Sequence, residues 1–177
     1  MPKARIIGGS HRSRVFETGD LPHTRPTKDR VKESMFNQLA PIIRFSNALD
    51  LFAGVGSLGF EALSRGVAKV TFVESHKETF KVLKKNLDQL GFNASVEAID
   101  AFDFLQSQTG PYDLIFLDPP YQSNALEDAL TLIKSLQLLD PKGLIIGLHE
   151  KDIVTDHYQI VKHRTLGRTQ ITVWELS

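Results

Sequence analysis

Asp118-Pro119-Pro120-Tyr121 puts a carboxylate, two ring-locked residues and an aromatic side chain in four consecutive positions. The tetrapeptide follows the apolar run from Tyr112 to Leu117, which reads as a buried strand. In open α/β sheets ligands lie outside the carboxyl ends of such strands. Neither proline has an N–H, and each biases the residue before it towards extended backbone, so this turn is stiff before any ligand arrives. The chemistry suggested is the handling of a planar ring that carries an exocyclic amino group. The lone pair of that nitrogen is delocalised into the ring. Acceptors on its N–H groups draw it towards tetrahedral geometry and aim the lone pair outwards. Asp118 supplies one acceptor and the Pro119 carbonyl the second. Tyr121 can stack on the ring, and a base inside a duplex must flip out to meet it. A plainer reading also fits: a strand ended by a Pro-Pro turn, with Asp118 in a cap-like role.

Gly54, Gly56 and Gly59, within the stretch Asp50 to Gly59, satisfy the G-x-G-x-x-G spacing between a strand pattern and a helical one. Glycines there let the chain turn tightly and let a ligand approach the backbone. Glu74 ends the next strand pattern, where an acid can bind the hydroxyls of an adenosine ribose. Two ligands fit, a dinucleotide or S-adenosylmethionine, and a loop that merely turns tightly is the plain alternative. Asp50 favours the methyl donor, because a carboxylate beside the loop repels a pyrophosphate and suits the ammonium group of a methionine moiety. The candidate cofactor residues are Asp50, Phe52, Ala53, Gly54 and Gly56, with Glu74 and Ser75. Asp100 and Ala101 follow the third strand, where they contact the adenine or open the next helix with Asp100 as its N-cap. With a sulfonium donor the reaction is a direct displacement, and the proton leaves afterwards to Asp118 or to water.

These residues need a scaffold that brings strand ends together. Residues 4–17 read as a small β-hairpin around Gly8-Gly9-Ser10, and Glu17 to Pro26 as loop. Thr27 is the expected N-cap of a helix with Val31, Met35, Phe36 and Leu39 on one face, ended by Pro41. Strand patterns at 48–52, 69–73, 94–99, 112–117 and 144–148 alternate with helical patterns near 57–65, 76–90, 101–107 and 124–136. Phe80, Leu83, Leu87 and Leu90 form the apolar stripe of the second of these helices. Two further strands, 157–166 and 169–176, close the chain around Gly167, with Trp174 in the core. The expected fold is α/β: a mostly parallel, seven-stranded sheet covered on both faces, with an antiparallel edge.

At 177 residues the chain is expected to form a real core. It has no cysteine, which excludes a disulfide framework, a thiolate metal site and a cysteine nucleophile. No metal is expected, since the six histidines (His11, His23, His76, His149, His157 and His163) lack ligand spacing. No apolar run suggests a membrane span, and a cytoplasmic, single-chain protein is expected. Net charge is zero, yet residues 1–32 hold eight basic and three acidic groups, a local excess of five. That asymmetry fits a basic face for nucleic acid, or a solvated N-terminal arm. Lys77, Lys81, Lys84 and Lys85 read as a solvated helix face.

Three blocks give the whole chain a family resemblance. They are Arg5-Ile6-Ile7-Gly8-Gly9 with Arg25 to Asn37, Leu49 to Gly59 with Glu61 to Gly66, and Asp118 to Tyr121. The chain resembles the bacterial 16S ribosomal RNA guanine-N2 methyltransferases of the RsmD type. Many amino-group methyltransferases share the glycine loop and the tetrapeptide, whereas the Arg25-Pro26-Thr27 to Asp29-Arg30-Val31 block is specific to this family. The resemblance implies a class I S-adenosylmethionine-dependent methyltransferase fold, Rossmann-like, plus a small N-terminal β-hairpin. It divides the chain into an RNA-facing extension, 1–26, and a methyltransferase domain, 27–177. It implies S-adenosylmethionine as cofactor, 16S rRNA or a small-subunit assembly intermediate as partner, and guanine(966) of that RNA as target. It assigns the loop and Glu74 to the cofactor and Asp118, Pro119, Pro120 and Tyr121 to the base. It turns Arg5, Arg12, Arg14, Arg25, Lys28, Arg30 and Lys32 towards RNA. Val55, Ser57, Lys32 and Ser34 depart from the usual family residues without removing the glycines or the charge type. The competing reading is an N6-adenine DNA methyltransferase, which uses the same tetrapeptide; the chain has no evident target-recognition domain for it. A nucleotide-dependent oxidoreductase would leave Asp118 to Tyr121 without work. A catalytically inactive RNA-binding factor would have no need of Asp118 and Gly54.

Overall fold

Apolar strands that alternate with amphipathic helices fold here into one twisted sheet with helices on both faces. The computed structural model describes residues 2–20, 27–40, 43 and 46–177. Arg25, Pro26 and Pro41, to which roles were assigned above, and His23 lie outside the described residues. The elements are β1 (Lys3–Arg5), β2 (Val15–Glu17), α1 (Asp29–Leu39), β3 (Asn47–Asp50), α2 (Ser57–Ser64), β4 (Lys69–Val73) and α3 (Lys77–Leu90). They continue as β5 (Ser95–Glu97), α4 (Ala101–Ser107), β6 (Tyr112–Leu117), α5 (Ala125–Ser135), β7 (Leu139–His149), β8 (Tyr158–Leu166) and β9 (Thr169–Leu176). The seven-stranded sheet has the order β5-β4-β3-β6-β7-β9-β8. β5, β4, β3, β6 and β7 pair in parallel, and the closing hairpin joins antiparallel to β7. The strand order reverses between β3 and β6, and a doubly wound sheet opens its ligand crevice at that point.

Two apolar layers sandwich the sheet. Met35, Phe36, Phe60 and Leu83 pack from α1, α2 and α3 on one face, together with Ile6 and Phe16 of the hairpin region. Phe104, Leu105, Leu130 and Ile133 pack from α4 and α5 on the other, where Trp174 is also buried. Each such side chain, fully buried, contributes about 1.5–3 kcal/mol of transfer free energy. Val31, Met35, Phe36 and Leu39 form the buried face of α1, at the spacing its sequence requires.

Several expectations are corrected. α1 begins one residue late, with Lys28 as N-cap and no side-chain cap, because the Thr27 hydroxyl points elsewhere. On α3 Phe80 is only half-buried, and Thr79 and Asn86 complete the buried stripe with Leu83, Leu87 and Leu90. The third strand shortens to three residues at the sheet edge. β7 starts at Leu139, five residues earlier than its apolar run. Pro141 and Gly143 lie in a register irregularity there, where pairing steps from Tyr112↔Leu139 to Leu114↔Leu144.

Candidate functional site

Register places three carboxylates at one end of the sheet. Asp50 is level with Phe72 of β4 and Phe116 of β6. Glu74 and Asp118 therefore stand two residues beyond it on the flanking strands. Asp50 is buried, and its Oδ2 accepts the Gly59 N–H at 3.0 Å. Its Oδ1 is buried and has no partner among the described residues. Desolvation raises the Asp50 pKa to about 7, helped by the nearby charges of Asp118 and Glu74. Desolvation also raises Asp118 to about 7, against a hydrogen bond from Thr27 that lowers it.

The glycine loop explains itself position by position. Gly54 and Gly56 have φ of 56° and 98°, in the left-handed region that favours glycine. A Cβ at Gly59 would lie 2.0 Å from the Phe72 ring, so this third glycine serves helix–strand packing. Glu74 grips the loop: its Oε2 accepts the Gly54 N–H at 2.9 Å and its Oε1 accepts the His76 N–H at 2.7 Å. Phe52 is half-buried and meets the Phe102 ring edge-on, Ala53 is buried, and Ser75 is exposed beside Glu74. Asp100 accepts from the N–H groups of Phe102 and Asp103 through one oxygen, so it is the N-cap of α4, and Ala101 is buried behind it.

At the other side of the crevice, Thr27 donates its hydroxyl hydrogen to Asp118 Oδ2 at 3.4 Å. The residue expected to cap α1 thus reaches the tetrapeptide instead. Pro119, Pro120 and Tyr121 line a narrow cleft with Leu148 and His149 at the end of β7. Burial lowers the His149 pKa below its ordinary value. Its Nδ1 lies 2.7 Å from the Lys151 carbonyl, an acceptor only, so Nδ1 carries the proton and Nε2 accepts from Thr172. Among the described residues no group of three or more metal-ligating side chains is placed to hold an ion. No helix there is long and apolar enough to cross a membrane.

The basic residues divide into classes that the charge count could not separate. Arg12, Arg14, Lys28 and Arg30 are exposed. Arg5 is exposed but paired with Asp29 at 2.7 Å. Lys32 is fully buried, which removes it from the RNA-facing set. Its ammonium donates to the Arg5 carbonyl and lies 3.7 Å from Asp29 and 3.8 Å from Glu61. Glu61, also fully buried, accepts the N–H groups of Ile7 and Gly8 and the Arg65 guanidinium. The signal for this role is a single acid, the one charged residue of α2.

The strand order, the crevice at its reversal and the closing antiparallel hairpin define a Rossmann-like methyltransferase. Residues 4–175 match the family described as Conserved hypothetical protein 95. The chain belongs to that family, which is the family of the ribosomal RNA small subunit methyltransferase D proteins. The Haemophilus influenzae protein of that name is 44% identical over 173 residues, covering 93% of this chain and 90% of its own. The Escherichia coli one is 42% identical over 142 residues, covering 80% and 72%. The solved structure of yhhF from Escherichia coli, provisionally assigned as a methyltransferase, superposes with a TM-score of 0.89 at 35% identity over 99% of both chains.

The buried acids set a stability profile that can be measured. A carboxylate whose folded pKa is raised from 3.8 to about 7 favours the folded state below its unfolded pKa and loses that advantage as pH rises through about 7. Unfolding free energy should therefore fall between about pH 4 and pH 7. Asp50→Asn keeps an acceptor for the Gly59 N–H and removes the charge, so its fall across this window should be smaller. Urea titrations at pH 5 and pH 8 measure the difference; an unchanged pH slope would show that Asp50 ionises without cost.

Proposed function

We propose that this chain transfers a methyl group from S-adenosylmethionine to the exocyclic N2 of a guanine in 16S ribosomal RNA during small-subunit maturation. The pair of desolvated carboxylates on adjacent strand ends, Asp50 and Asp118, carries the reading. Naming the guanine as guanine(966) rests on family resemblance, and the naming of the two relatives supports ribosomal RNA as substrate.

The residues present fit the methyl donor, because Asp50 Oδ1 is a buried acceptor without a partner, suited to an ammonium group. Asp50 would hold that group, with Phe52, Ala53, Gly54 and Gly56 forming the cradle. Glu74 and Ser75 would meet the ribose, and Ala101 and the second oxygen of Asp100 the adenine. When bound, S-adenosylmethionine supplies an electrophilic methyl group. Asp118 and the Pro119 carbonyl accept the two N–H groups of the target amine and orient its lone pair. Pro120 keeps the turn stiff and Tyr121 stacks on the flipped base. Thr27 holds Asp118 in place and releases it as the amine N–H arrives. Asp118 or water takes the proton once positive charge has built up on nitrogen.

Arg5, Arg12, Arg14, Lys28 and Arg30, and with them Arg25, form the RNA-facing set in this reading, with residues 1–26 as the extension and 27–177 as the catalytic domain. The test is transfer of labelled methyl groups to naked 16S RNA, to assembled small subunits and to DNA, followed by mapping of the modified nucleotide. Label on guanine N2 in the RNA is expected. Label in DNA alone, or none in any substrate, overturns the reading.

A further inference from the structure

A cavity of about 260 Å³ lies between the hairpin and α1, away from the three carboxylates. One wall is hairpin: Arg5 and, past its turn, Arg12. The other is the outer face of α1, where Asp29, Glu33 and Asn37 follow one another at four-residue steps and so line up along the helix. Arg65 borders it too, its guanidinium placed 5.1 Å over the Phe36 ring and bonded to Glu61. The hairpin turn closes tightly here, since a Cβ at Gly8 would meet the Arg65 guanidinium at 2.6 Å.

The charges in this cavity are unequal in what they already hold. Arg65 is bound to Glu61, and Arg5 and Asp29 neutralise each other. The Arg12 guanidinium and the side chains of Glu33 and Asn37 have no partner among the described residues. A guanidinium on one wall and a carboxylate and an amide on the other, each without a partner among the described residues, offer two kinds of recognition side by side. Arginine accommodates a phosphate through its planar fork. A carboxylate repels phosphate but accepts from the amino group of a nucleobase, and an amide reads a base edge. Along the chain the cavity is close to the site: Asp29 lines it, and Thr27, two residues earlier, bonds to Asp118.

We infer that this cavity is a nucleotide subsite for the RNA strand next to the target base. Arg12 takes the phosphodiester, and Glu33 with Asn37 takes the edge of a base that carries an amino group. The inference rests on the proposed RNA methyl transfer and adds a second contact point to it. The strand is held a short distance from the flipped base, and specificity arises outside the Asp118 crevice, whose tetrapeptide serves guanine and adenine alike.

Two measurements test it. Arg12→Ala should weaken RNA binding about 5–10-fold and make its logarithmic salt dependence shallower by about 0.7, the share of one phosphate on a single strand. Its S-adenosylmethionine affinity and melting temperature should match wild type, since Arg12 is exposed and has no partner among the described residues. Asn37→Cys adds a single thiol to a chain without cysteine. A photocrosslinker attached there should capture one nucleotide, within a few positions of the methylated guanine. Wild-type RNA affinity in both Arg12→Ala and Arg12→Glu, or crosslinks scattered along the RNA, overturns the subsite. If the wild-type protein methylates no RNA, the parent reading fails; if it does so while these variants behave as wild type, only the subsite fails.

Discussion

Asp118→Ala is expected to lower kcat by on the order of 10²–10³, while S-adenosylmethionine binds within a few-fold of wild type. The size follows from the role proposed for Asp118: one of two acceptors on a weak nucleophile, whose acceptor strength matters most as the nitrogen becomes positive. Binding of the donor is assigned in the proposed function to Asp50 and the glycine loop, on the neighbouring strand. Asp118→Asn separates position from charge, because the amide oxygen still accepts but carries no full charge. It should fall between alanine and wild type, and near wild-type turnover would remove the electrostatic role. A pH signature accompanies it. Protonated Asp118 has lost acceptor capacity, so kcat/KM of the free enzyme should rise with pH through about 7. Asp50 titrates over the same range and is pushed up partly by the Asp118 charge. In Asp118→Asn the acid limb should therefore move to lower pH rather than vanish. An inflection that stays at the wild-type pH would assign it to another group.

The parts of this fold that show in the sequence are those set by short-range periodicity. Alternating strand and helix patterns give the order of elements, and the glycine spacing with Asp-Pro-Pro-Tyr marks two strand ends. Parallel βα connections then leave the strand ends on one side of the sheet. What stays hidden depends on contacts between residues far apart in the chain. Thr27 looks like an N-cap because its neighbours look like a helix start; its partner is 91 residues away. Lys32 counts as surface charge until Glu61 and the Arg5 carbonyl close around it. Pro141 and Gly143 read as breakers, and only the register with β6 shows a strand running through them. The charge excess of residues 1–32 illustrates the same limit. Part of it is internal, in Lys32, and part is already answered, by the Arg5–Asp29 pair. Among the described residues the charge that no carboxylate answers is carried by Lys3, Arg12, Arg14, Lys28 and Arg30, with Arg14 also donating to the Gln89 carbonyl, and their arrangement is a property of the folded surface.

Glu61→Ala is expected to cost about 3–5 kcal/mol of stability, the cost of stranding a buried charge and its donors. For a chain of this size that lowers the melting temperature by roughly 6–20 °C. The carboxylate satisfies two backbone N–H groups at once, Ile7 at 3.0 Å and Gly8 at 2.9 Å, and it faces both Lys32 and Arg65. Desolvation already pushes the Lys32 pKa down, with Glu61 the largest opposing influence. Without that acid, Lys32 keeps only Asp29, at 3.7 Å, as a counter-charge, and its burial drives it towards giving up its proton or opening a path to water. Either response loosens the hairpin, whose Ile6 and Phe16 are part of the same core as α1 and α2. Hydrogen exchange distinguishes this from general destabilisation. Amides of Ile7 and Gly8 should lose protection at denaturant concentrations where those of β3 and β6 keep theirs. The double variant Glu61→Gln with Lys32→Met should recover part of the loss, since the amide oxygen still accepts one of the two N–H groups, no buried charge is left without its counter-charge, and methionine fills the lysine's volume. Recovered stability with RNA affinity intact would show that Lys32 anchors the hairpin and contributes no RNA contact. If the hairpin amides of Glu61→Ala stay protected, the anchor lies in the apolar contacts of Ile6 and Phe16 alone.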